Sequence, residues 1–320
     1  MALRQAQRPK YFANILIMYK FYKYHGAGND FLLADNRSGD LSLSPDQIRH
    51  LCARHTGFGA DGVMLLENSD DSAFRMVFYN PDGSGGMMCG NGGRCIVAFA
   101  ADLGIVNAGE PVVFEAPDGF HQAEILPASP DRQSHQPLEP VSEKSSRSLS
   151  PSKRPERVIR LKMKDVTQTR FFREDGTVFL DTGTRHLVKF VKRLSKYPVV
   201  EQGRILRNDP RFAPAGVNVD FVEWSKGSRG GTLKIRTFEK GVEDETLACG
   251  TGIVAAALTA YSSGYIGKSR LDGRVTCKVS AAIATLTVDY IPEDRPGDQS
   301  FRDIWLTGPA DFIGTVEIML

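Results

Sequence analysis

The sequence lacks any apolar run as long as the roughly 18 residues that a membrane-spanning helix needs. Charge of one sign is also lacking: a net charge of +2 over 320 residues is too small for the basic field of a nucleic-acid-binding or membrane-surface protein. Cysteine is scarce, and five cysteines are an odd number without the density of a disulfide scaffold. With 41% hydrophobic and 24% charged residues, we expect a soluble cytoplasmic protein with reduced thiols and neither a nucleic-acid nor a membrane partner.

Sequence signals for metal and cofactor binding are missing as well. Cys89 and Cys95 have no second pair of Cys or His residues at ligand spacing, so no zinc site is predicted. The segment 264–269 resembles a phosphate-binding loop, but such a loop needs glycine where this chain has Ser262. No pattern indicates a lysine for pyridoxal phosphate or a flavin site. We therefore expect a function that uses neither a metal nor a cofactor.

Two segments of the chain repeat one pattern. Each begins with Cys-Gly-x-Gly, at Cys89 and at Cys249, continues through small and apolar residues, and ends at an equally spaced glycine, Gly104 or Gly264. A small-residue start, an alanine-rich body and a final glycine predict a short buried helix. The first N–H groups of such a helix lack intrahelical partners and carry partial positive charge. The two early glycines let an anion approach these N–H groups.

A cysteine at the N-terminus of a helix is expected to have a lowered pKa and a usable fraction of thiolate. The sequence therefore predicts two helix N-termini, each with one reactive thiol and one anion site. Two glycine-terminated core helices with incidental cysteines are the alternative. The recurrence of the thiol and of both glycines in register favours the first interpretation.

Strand patterns surround both helices. A further helix is predicted after Ser44, with Pro45 at its first position, as far as about His55. Residues 292–300 are predicted to be a polar loop. Alternating or β-branched runs predict strands at 19–24, 32–34, 63–66, 74–79, 112–115, 121–126, 158–161, 177–181, 187–190, 217–222, 233–238, 275–280, 284–290, 303–306 and 311–318.

One buried helix in each strand-rich half predicts an α+β fold of two pseudo-symmetric lobes. Each lobe is a curled, mostly antiparallel sheet around its helix, and the active site lies in the cleft between the lobes. We expect the N-terminal lobe at 18–168, joined by a C-terminal strand at 308–320, and the C-terminal lobe at 169–307. Residues 1–17 are expected to be a disordered extension before an internal start. The segment 127–157, with six prolines and eight serines, is expected to be a flexible insertion.

Two reactive thiols across one anion site suit the inversion of an α-carbon. A base must act on one face of the carbon and an acid on the opposite face. The substrate carboxylate becomes enediolate-like as the proton leaves, so fixed donors must hold it, and two helix N-termini supply such donors. The pattern therefore favours an isomerase that inverts the α-carbon of a carboxylate.

Three segments resemble the signatures of the diaminopimelate epimerase family. They are His-Gly-Ala-Gly-Asn-Asp-Phe at 25–31, Met-Cys-Gly-Asn-Gly-Gly-Arg-Cys at 88–95 and Glu-Asp-Glu-Thr-Leu-Ala-Cys-Gly-Thr-Gly at 243–252. The resemblance extends from about Met18 to the C-terminus, outside the insertion. It implies a homodimeric, cofactor-independent isomerase that converts LL- to meso-diaminopimelate in lysine and peptidoglycan precursor biosynthesis.

The resemblance also implies site residues. Cys89 and Cys249 would be the two acid/base residues. The residues implied to tune the pKa values of the thiols are His186 and Glu239. Those implied to bind substrate are Asn29, Asn80, Gly90, Asn91, Asn218, Glu239, Lys240, Gly250 and Thr251. Two of these also have structural interpretations, Asn80 as a turn former before proline and Asn218 as a strand-end cap.

Departures from the family pattern concern substrate recognition. Lys240 stands where the family usually has arginine, which keeps the charge but loses a bidentate fork. Thr184 and Arg185 stand where the family has Asn-Pro or Ser-Pro before the histidine. Gly62 occupies a position where some members have glutamine. We expect these changes to affect selectivity more than chemistry.

Other functions stay open on the sequence alone. A proline or hydroxyproline racemase or a dehydratase of the same fold would also use Cys-Gly helix starts, but would lack the Gly-Asn-Asp-Phe and Asn-Gly-Gly-Arg-Cys segments. A redox-active thiol protein would need thiols that pair, and no Cys-x-x-Cys is present. A non-catalytic binding protein is the third option, and the repeated thiols argue against it.

Overall fold

The computed structural model describes residues 18–127, 157–227, 230–295 and 298–320. The expected extension at 1–17 and all but the ends of the expected insertion lie outside the described residues. Within the described part, no helix is long and apolar enough to cross a membrane.

The N-terminal half alternates strands with two helices. The helix α1 has the predicted start, because Ser44 caps it through a reciprocal bond with Gln47 and Pro45 is its first residue. The elements are β1 (Met18–Gly26), β2 (Asn29–Asp35), α1 (Pro45–Cys52), β3 (Val63–Glu67), β4 (Arg75–Tyr79), α2 (Gly90–Asp102), β5 (Pro111–Ala116), β6 (Gly119–Ile125) and β7 (Arg157–Lys162).

The second half has the same character and ends in one very long strand. Its elements are β8 (Thr169–Phe172), β9 (Thr177–Asp181), β10 (Arg185–Phe190), α3 (Val199–Arg207), β11 (Asn218–Gly227), β12 (Gly230–Glu239), β13 (Asp244–Thr246), α4 (Gly250–Ser262), β14 (Val275–Ser280), β15 (Thr285–Arg295) and β16 (Asp298–Met319).

The strands form one mixed sheet that closes on itself in the N-terminal half. Strands β1 to β7 pair in sequence order, β7 pairs with β16, and β16 pairs back with β1. The other edge of β16 continues through β15, β14, β12, β11, β10, β9 and β8. Most pairs are antiparallel, and the parallel pairs are β2–β3, β4–β5, β10–β11 and β12–β14.

The helices α2 and α4 lie in the core. Strands β1, β2, β3, β6, β7 and β16 surround α2, while β9 to β12 and β14 to β16 surround α4. Residues 90–100 of α2 are all buried. A helix enclosed on every side has no solvent face, which is why both sequences are mostly small or apolar, with Asn91 and Arg94 as buried polar exceptions in α2.

Both core helices end as the closing glycines predict. Gly104 and Gly264 have φ angles of 72° and 76°, in the left-handed region that favours glycine. The N–H of Gly104 donates to Ala101 O and that of Ile105 to Ala100 O, and the equivalent pair of bonds ends α4. This is the Schellman arrangement, so the end of each helix is set by the repeated motif.

Several boundaries predicted from the sequence were wrong. The described residues of the predicted loop at 292–300 lie in strands instead, because Pro292 pairs with Phe301 and Glu293 with Ser300 between β15 and β16. Polar side chains satisfy one another there, as in the ion pair of Arg302 with Glu293 at 3.0 Å, so no apolar alternation is needed. The elements α3, β8 and β13 were not predicted, and α1 ends at Cys52 rather than near residue 55.

Candidate active site

The N-termini of α2 and α4 face each other. A Cβ atom on Gly250 would lie 3.4 Å from the Cα of Gly90, so the absence of side chains lets the two helix ends approach closely. Leu306 of β16 packs against both glycines. Cys89 and Cys249 are the N-cap residues of the two helices, each in extended backbone. The repeated motif therefore brings both thiols and the N–H groups of two helix N-termini to one place.

Cys89 is half-buried, and its Sγ accepts a hydrogen bond from the N–H of Gly92 at 3.2 Å. Burial raises the pKa of the Cys89 thiol to about 11, while that N–H and the positive charge of Arg94 act in the opposite direction but are weaker. The expectation of a lowered pKa is therefore wrong for Cys89. Loss of contact with water disfavours the charged thiolate, and at Cys89 this effect outweighs the helix N-terminus.

Cys249 is 8% exposed and begins a polar chain. Its Sγ lies 3.4 Å from Thr251 Oγ1, which lies 3.0 Å from His186 Nε2. His186 Nδ1 lies 2.7 Å from Asp220 Oδ2, and both side chains are completely buried. Burial opposes the charge on His186, but the Asp220 carboxylate and the Cys249 sulfur together raise the pKa of His186 to about 10. An imidazolium therefore lies beside the second thiol.

Glu239 lies within electrostatic reach of both Cys89 and His186. Its Oε2 accepts a hydrogen bond of 2.9 Å from Thr246 Oγ1. Burial raises the pKa of Glu239. The charge of its carboxylate raises the pKa of Cys89, so Glu239 is electrostatically linked to the first thiol while His186 is linked to the second.

Two asparagines connect the helix N-termini. Asn91 Nδ2 donates to Ala248 O, the residue before Cys249, and to Asn29 Oδ1, each at 3.2 Å. Asn29 Nδ2 in turn donates to Asp61 Oδ2 at 2.6 Å. The turn that carries Asn29 is thereby tied to both helix ends.

Asn218 forms hydrogen bonds within this group, whereas the hydrogen bonds of Asn80 lie within its own turn. Asn218 Oδ1 accepts from the N–H of Lys240 at 2.8 Å, and its Nδ2 lies 3.4 Å from His186 Nε2. Asn80 Nδ2 donates to Ser84 Oγ at 3.0 Å within its own turn. Within the described ranges, no hydrogen bond links Asn80 to the two thiols or their partners.

The departures from the family pattern fall in different surroundings. Thr184 Oγ1 lies 2.9 Å from both His186 Nε2 and Thr251 Oγ1, so it belongs to the polar chain of Cys249. The Arg185 guanidinium instead lies over the Phe179 ring, 5.4 Å from its centroid. A Cβ atom on Gly62 would lie 2.8 Å from the Phe78 ring, so a glutamine there would require that ring to move.

Three partners of the site were not identified from the sequence: Asp220, Asp61 and Arg94. A signal for Asp220 exists in β11, where Asn218 and Asp220 alternate with valines and therefore share one face of the strand. Arg94 was noted only as part of a motif. In the described part of the chain, no three His, Cys, Asp or Glu side chains are grouped so as to hold a metal ion.

Comparison with known proteins finds relatives over most of the chain. The family model for diaminopimelate epimerase matches residues 21–130 and 178–288. The diaminopimelate epimerase of Flavobacterium psychrophilum is 37% identical over 298 residues, covering 92% of this chain and 98% of the relative. That of Chlorobaculum tepidum is 38% identical over 298 residues, covering 92% and 99%.

Solved structures share the fold at low sequence identity. A PhzF-family phenazine biosynthesis protein of Bacillus anthracis has a TM-score of 0.66 at 15% identity, covering 95% of this chain and all of that one. A hydroxyproline epimerase from Agrobacterium vitis has a TM-score of 0.61 at 16% identity, covering 95% and 93%. The predicted fold class, two-lobed α+β with a curled sheet around a helix, is confirmed. The chain belongs to the diaminopimelate epimerase family.

Proposed function

We propose that this chain is an isomerase that converts LL-2,6-diaminopimelate to meso-diaminopimelate without a cofactor, in lysine and peptidoglycan precursor biosynthesis. The observation that carries the proposal is the pair of N-cap thiols, Cys89 and Cys249, on two helices whose N-termini face each other. Family membership supports the substrate, since the relatives carry the name of that epimerase.

The reaction needs a base and an acid on opposite faces of one carbon. One cysteine as thiolate removes the α-proton, and the other as thiol delivers a proton to the opposite face. Negative charge moves onto the α-carboxylate in between, and free N–H groups from both helices hold it. The roles of the two cysteines exchange when the reaction runs in the opposite direction.

The surroundings of the two thiols differ. Cys89 is held as a thiol by burial, which raises its pKa to about 11. Cys249 instead begins the polar chain that runs through Thr251 to His186 and Asp220. We therefore propose Cys89 as the acid and Cys249 as the base for the isomer that binds the resting enzyme productively. The Glu239 carboxylate raises the pKa of Cys89 and so favours its thiol form.

Different residues are proposed to bind the reacting end and the distal end of the substrate. Gly90, Asn91, Gly250 and Thr251 hold the reacting carboxylate, with Asn29 beside them. The residues assigned to the distal end are Asn80, Asn218 and Lys240. Support is strongest for Asn218, which lies within 3.4 Å of His186 and orients the backbone of Lys240. It is weakest for Asn80, which is engaged in its own turn.

Isotope exchange tests the function and the two-base mechanism together. In D₂O without added cofactor, the protein is expected to incorporate deuterium at the α-carbon of LL- and meso-diaminopimelate, with free proline and 4-hydroxyproline as comparison substrates. Cys89→Ser and Cys249→Ser change the thiols by one atom each, and each should lower epimerisation by about 10²-fold or more. The two variants should show opposite preferences for exchanging LL and meso isomers.

Two outcomes would contradict this assignment. Near-normal epimerisation by either serine variant would remove that cysteine from the mechanism. Faster exchange with proline than with diaminopimelate would instead favour the racemase alternative. Circular dichroism of both variants controls for folding, since serine and cysteine differ little in size.

The assembly and location are further parts of the proposal. We infer a homodimer, from the family resemblance, and sedimentation velocity of the purified chain tests it. We also propose two lobes, 18–168 with the strand 308–320, and 169–307. A cytoplasmic location is supported by the five free cysteines, which suit a reducing compartment.

A further inference from the structure

Arg94 is a completely buried arginine directly beneath the two helix N-termini. Its side chain is 0% exposed and ranks first by volume among the fully buried side chains. Glycines make room for it: a Cβ atom would lie 3.3 Å from Nη2 at Gly26 and 3.2 Å from Nε at Gly308. Strands β1 and β16 thus form a glycine-walled slot that fits a guanidinium.

The hydrogen bonds of Arg94 all end on neutral oxygens. Nη1 donates to Gly90 O at 3.0 Å, Nη2 to Asn91 Oδ1 at 2.8 Å, and Nε to Pro309 O at 3.2 Å. No carboxylate of the described residues forms an ion pair with it. A buried charge without a counter-charge is costly, so a negative charge that appears nearby is strongly favoured.

The guanidinium also fixes the orientation of the asparagine chain. Arginine can only donate hydrogen bonds, so Asn91 must turn its oxygen toward Arg94. Its amide group then points to Ala248 O and Asn29 Oδ1. Asn29 must in turn direct its own amide group to the Asp61 carboxylate. A cation at one end and an anion at the other therefore determine how both asparagines face the substrate site.

We propose that Arg94 is a positioning residue of the reaction, whose guanidinium locks the two helix N-termini together and supplies the positive charge that balances the Cys89 thiolate and the substrate carboxylate. The part of this inference that concerns the substrate carboxylate rests on the proposed function. The link to Cys89 rests on the protein itself, because Arg94 acts electrostatically on that thiol.

Other groups near this thiol also raise or lower its pKa. Glu239 on β12 raises the pKa of Cys89, and the Gly92 N–H on α2 lowers it. The neighbouring Cys95 thiol, whose pKa burial raises, stays neutral. The carboxylates Asp30 on β2 and Asp311 on β16 act on Cys95 and so favour the thiol form. Arg94 is thus the side chain whose charge favours thiolate at Cys89.

Alkylation of Cys89 measures this effect without any substrate. The rate of iodoacetamide modification at Cys89, followed by mass spectrometry against pH, gives the pH midpoint of thiolate formation. Arg94→Met removes the charge at similar volume and should move the midpoint upward, slowing alkylation below the midpoint on the order of tenfold for each pH unit. Cys95→Ala is the matched control, a core change next in sequence that should lower the melting temperature and leave the midpoint in place.

Arg94→Lys separates charge from geometry. A lysine ammonium keeps the charge but cannot reach Gly90 O, Asn91 Oδ1 and Pro309 O together. The alkylation midpoint should therefore stay near the wild-type value, while kcat for diaminopimelate falls on the order of tenfold or more with KM changing less.

Distinct outcomes would overturn each half of the proposal. An unchanged Cys89 midpoint in folded Arg94→Met would show that the charge of Arg94 does not favour the Cys89 thiolate. If Arg94→Met fails to fold, Arg94→Gln provides a second neutral variant for the same measurement. A wild-type kcat in Arg94→Lys would remove the positioning role, whether or not the neutral variants fold. Because alkylation needs no substrate, a shifted midpoint in a protein inactive on diaminopimelate would count against the proposed function and not against the role of Arg94.

Discussion

At the scale of single residues, buried polar groups surround the second thiol and satisfy one another. Asp220 accepts from Thr237 Oγ1 at 2.7 Å with one oxygen and faces His186 Nδ1 at 2.7 Å with the other. Gly252 of α4 leaves room for the same pair, because a Cβ atom there would lie 2.5 Å from Asp220 Oδ1. Such networks are stabilising when every member is paired, and they fix side-chain orientation.

Asp220→Asn should change how stability depends on pH. Since Asp220 helps to raise the pKa of His186 from 6.5 to about 10, the pair stabilises the fold fully below the lower value. That contribution is lost as pH rises toward the upper value. The wild-type melting temperature should therefore fall between about pH 6.5 and about pH 10, and the Asp220→Asn variant should show a flatter curve. Differential scanning calorimetry measures both.

A matched variant separates the charge from the hydrogen bonds. Thr237→Val removes the second partner of Asp220 but keeps its charge, so it should lower stability at every pH and keep the wild-type slope. Equal slopes in wild-type and Asp220→Asn would show that His186 does not carry the charge assigned to it.

At the scale of elements, the sequence determines the core helices because the signals are local. Cys-Gly starts, alanine-rich bodies and closing glycines occur within each helix, so both starts and both ends were predicted correctly. The helix α3 was not predicted, because Gly203 in its middle lowers helix propensity. The fold requires that glycine, since a Cβ atom there would lie 2.4 Å from the Cβ of Phe238. Tertiary packing, which the local sequence does not reveal, decided the outcome.

The glycines at the two ends of α4, Gly250 in its first turn and Gly264 just after its last, should respond differently to alanine. Gly264→Ala places a side chain at a φ of 76° with nothing within 4 Å, so it should cost about 1 kcal/mol of unfolding free energy and leave turnover intact. Gly250→Ala places a Cβ atom 3.3 Å from Leu306 and 3.4 Å from Gly90, between the helix N-termini. It should reduce kcat on the order of tenfold or more while stability changes little, because alanine also favours helix.

Urea unfolding and initial rates on both variants decide this. A Gly250→Ala enzyme with wild-type kcat would mean that the close approach of the two helices is a packing feature without a part in the reaction.

At the scale of the whole molecule, the site depends on pairings that no local pattern encodes. Asn91 and Ala248 are separated by 157 residues and meet because β16 pairs with β15, β7 and β1 in turn. The repeat predicted two similar helix N-termini, but their contact through Gly90 and Gly250 follows from strand order. The thiol pKa was misjudged for the same reason, since burial is a property of the assembled fold.

Closing the hairpin between β6 and β7 tests how independent the fold is of the segment 128–156. The N–H of Leu126 donates to Val158 O at 3.0 Å, and Ile125 pairs with Ile159, so the strand ends are already adjacent. A variant with residues 128–156 replaced by a short Gly/Ser turn should keep its turnover. Its unfolding free energy should stay constant or rise by about 1–2 kcal/mol, because each halving of a flexible loop lowers the closure cost by about 0.6 kcal/mol. Loss of folding on deletion, seen by circular dichroism, would show that the segment carries structure its proline- and serine-rich composition does not predict.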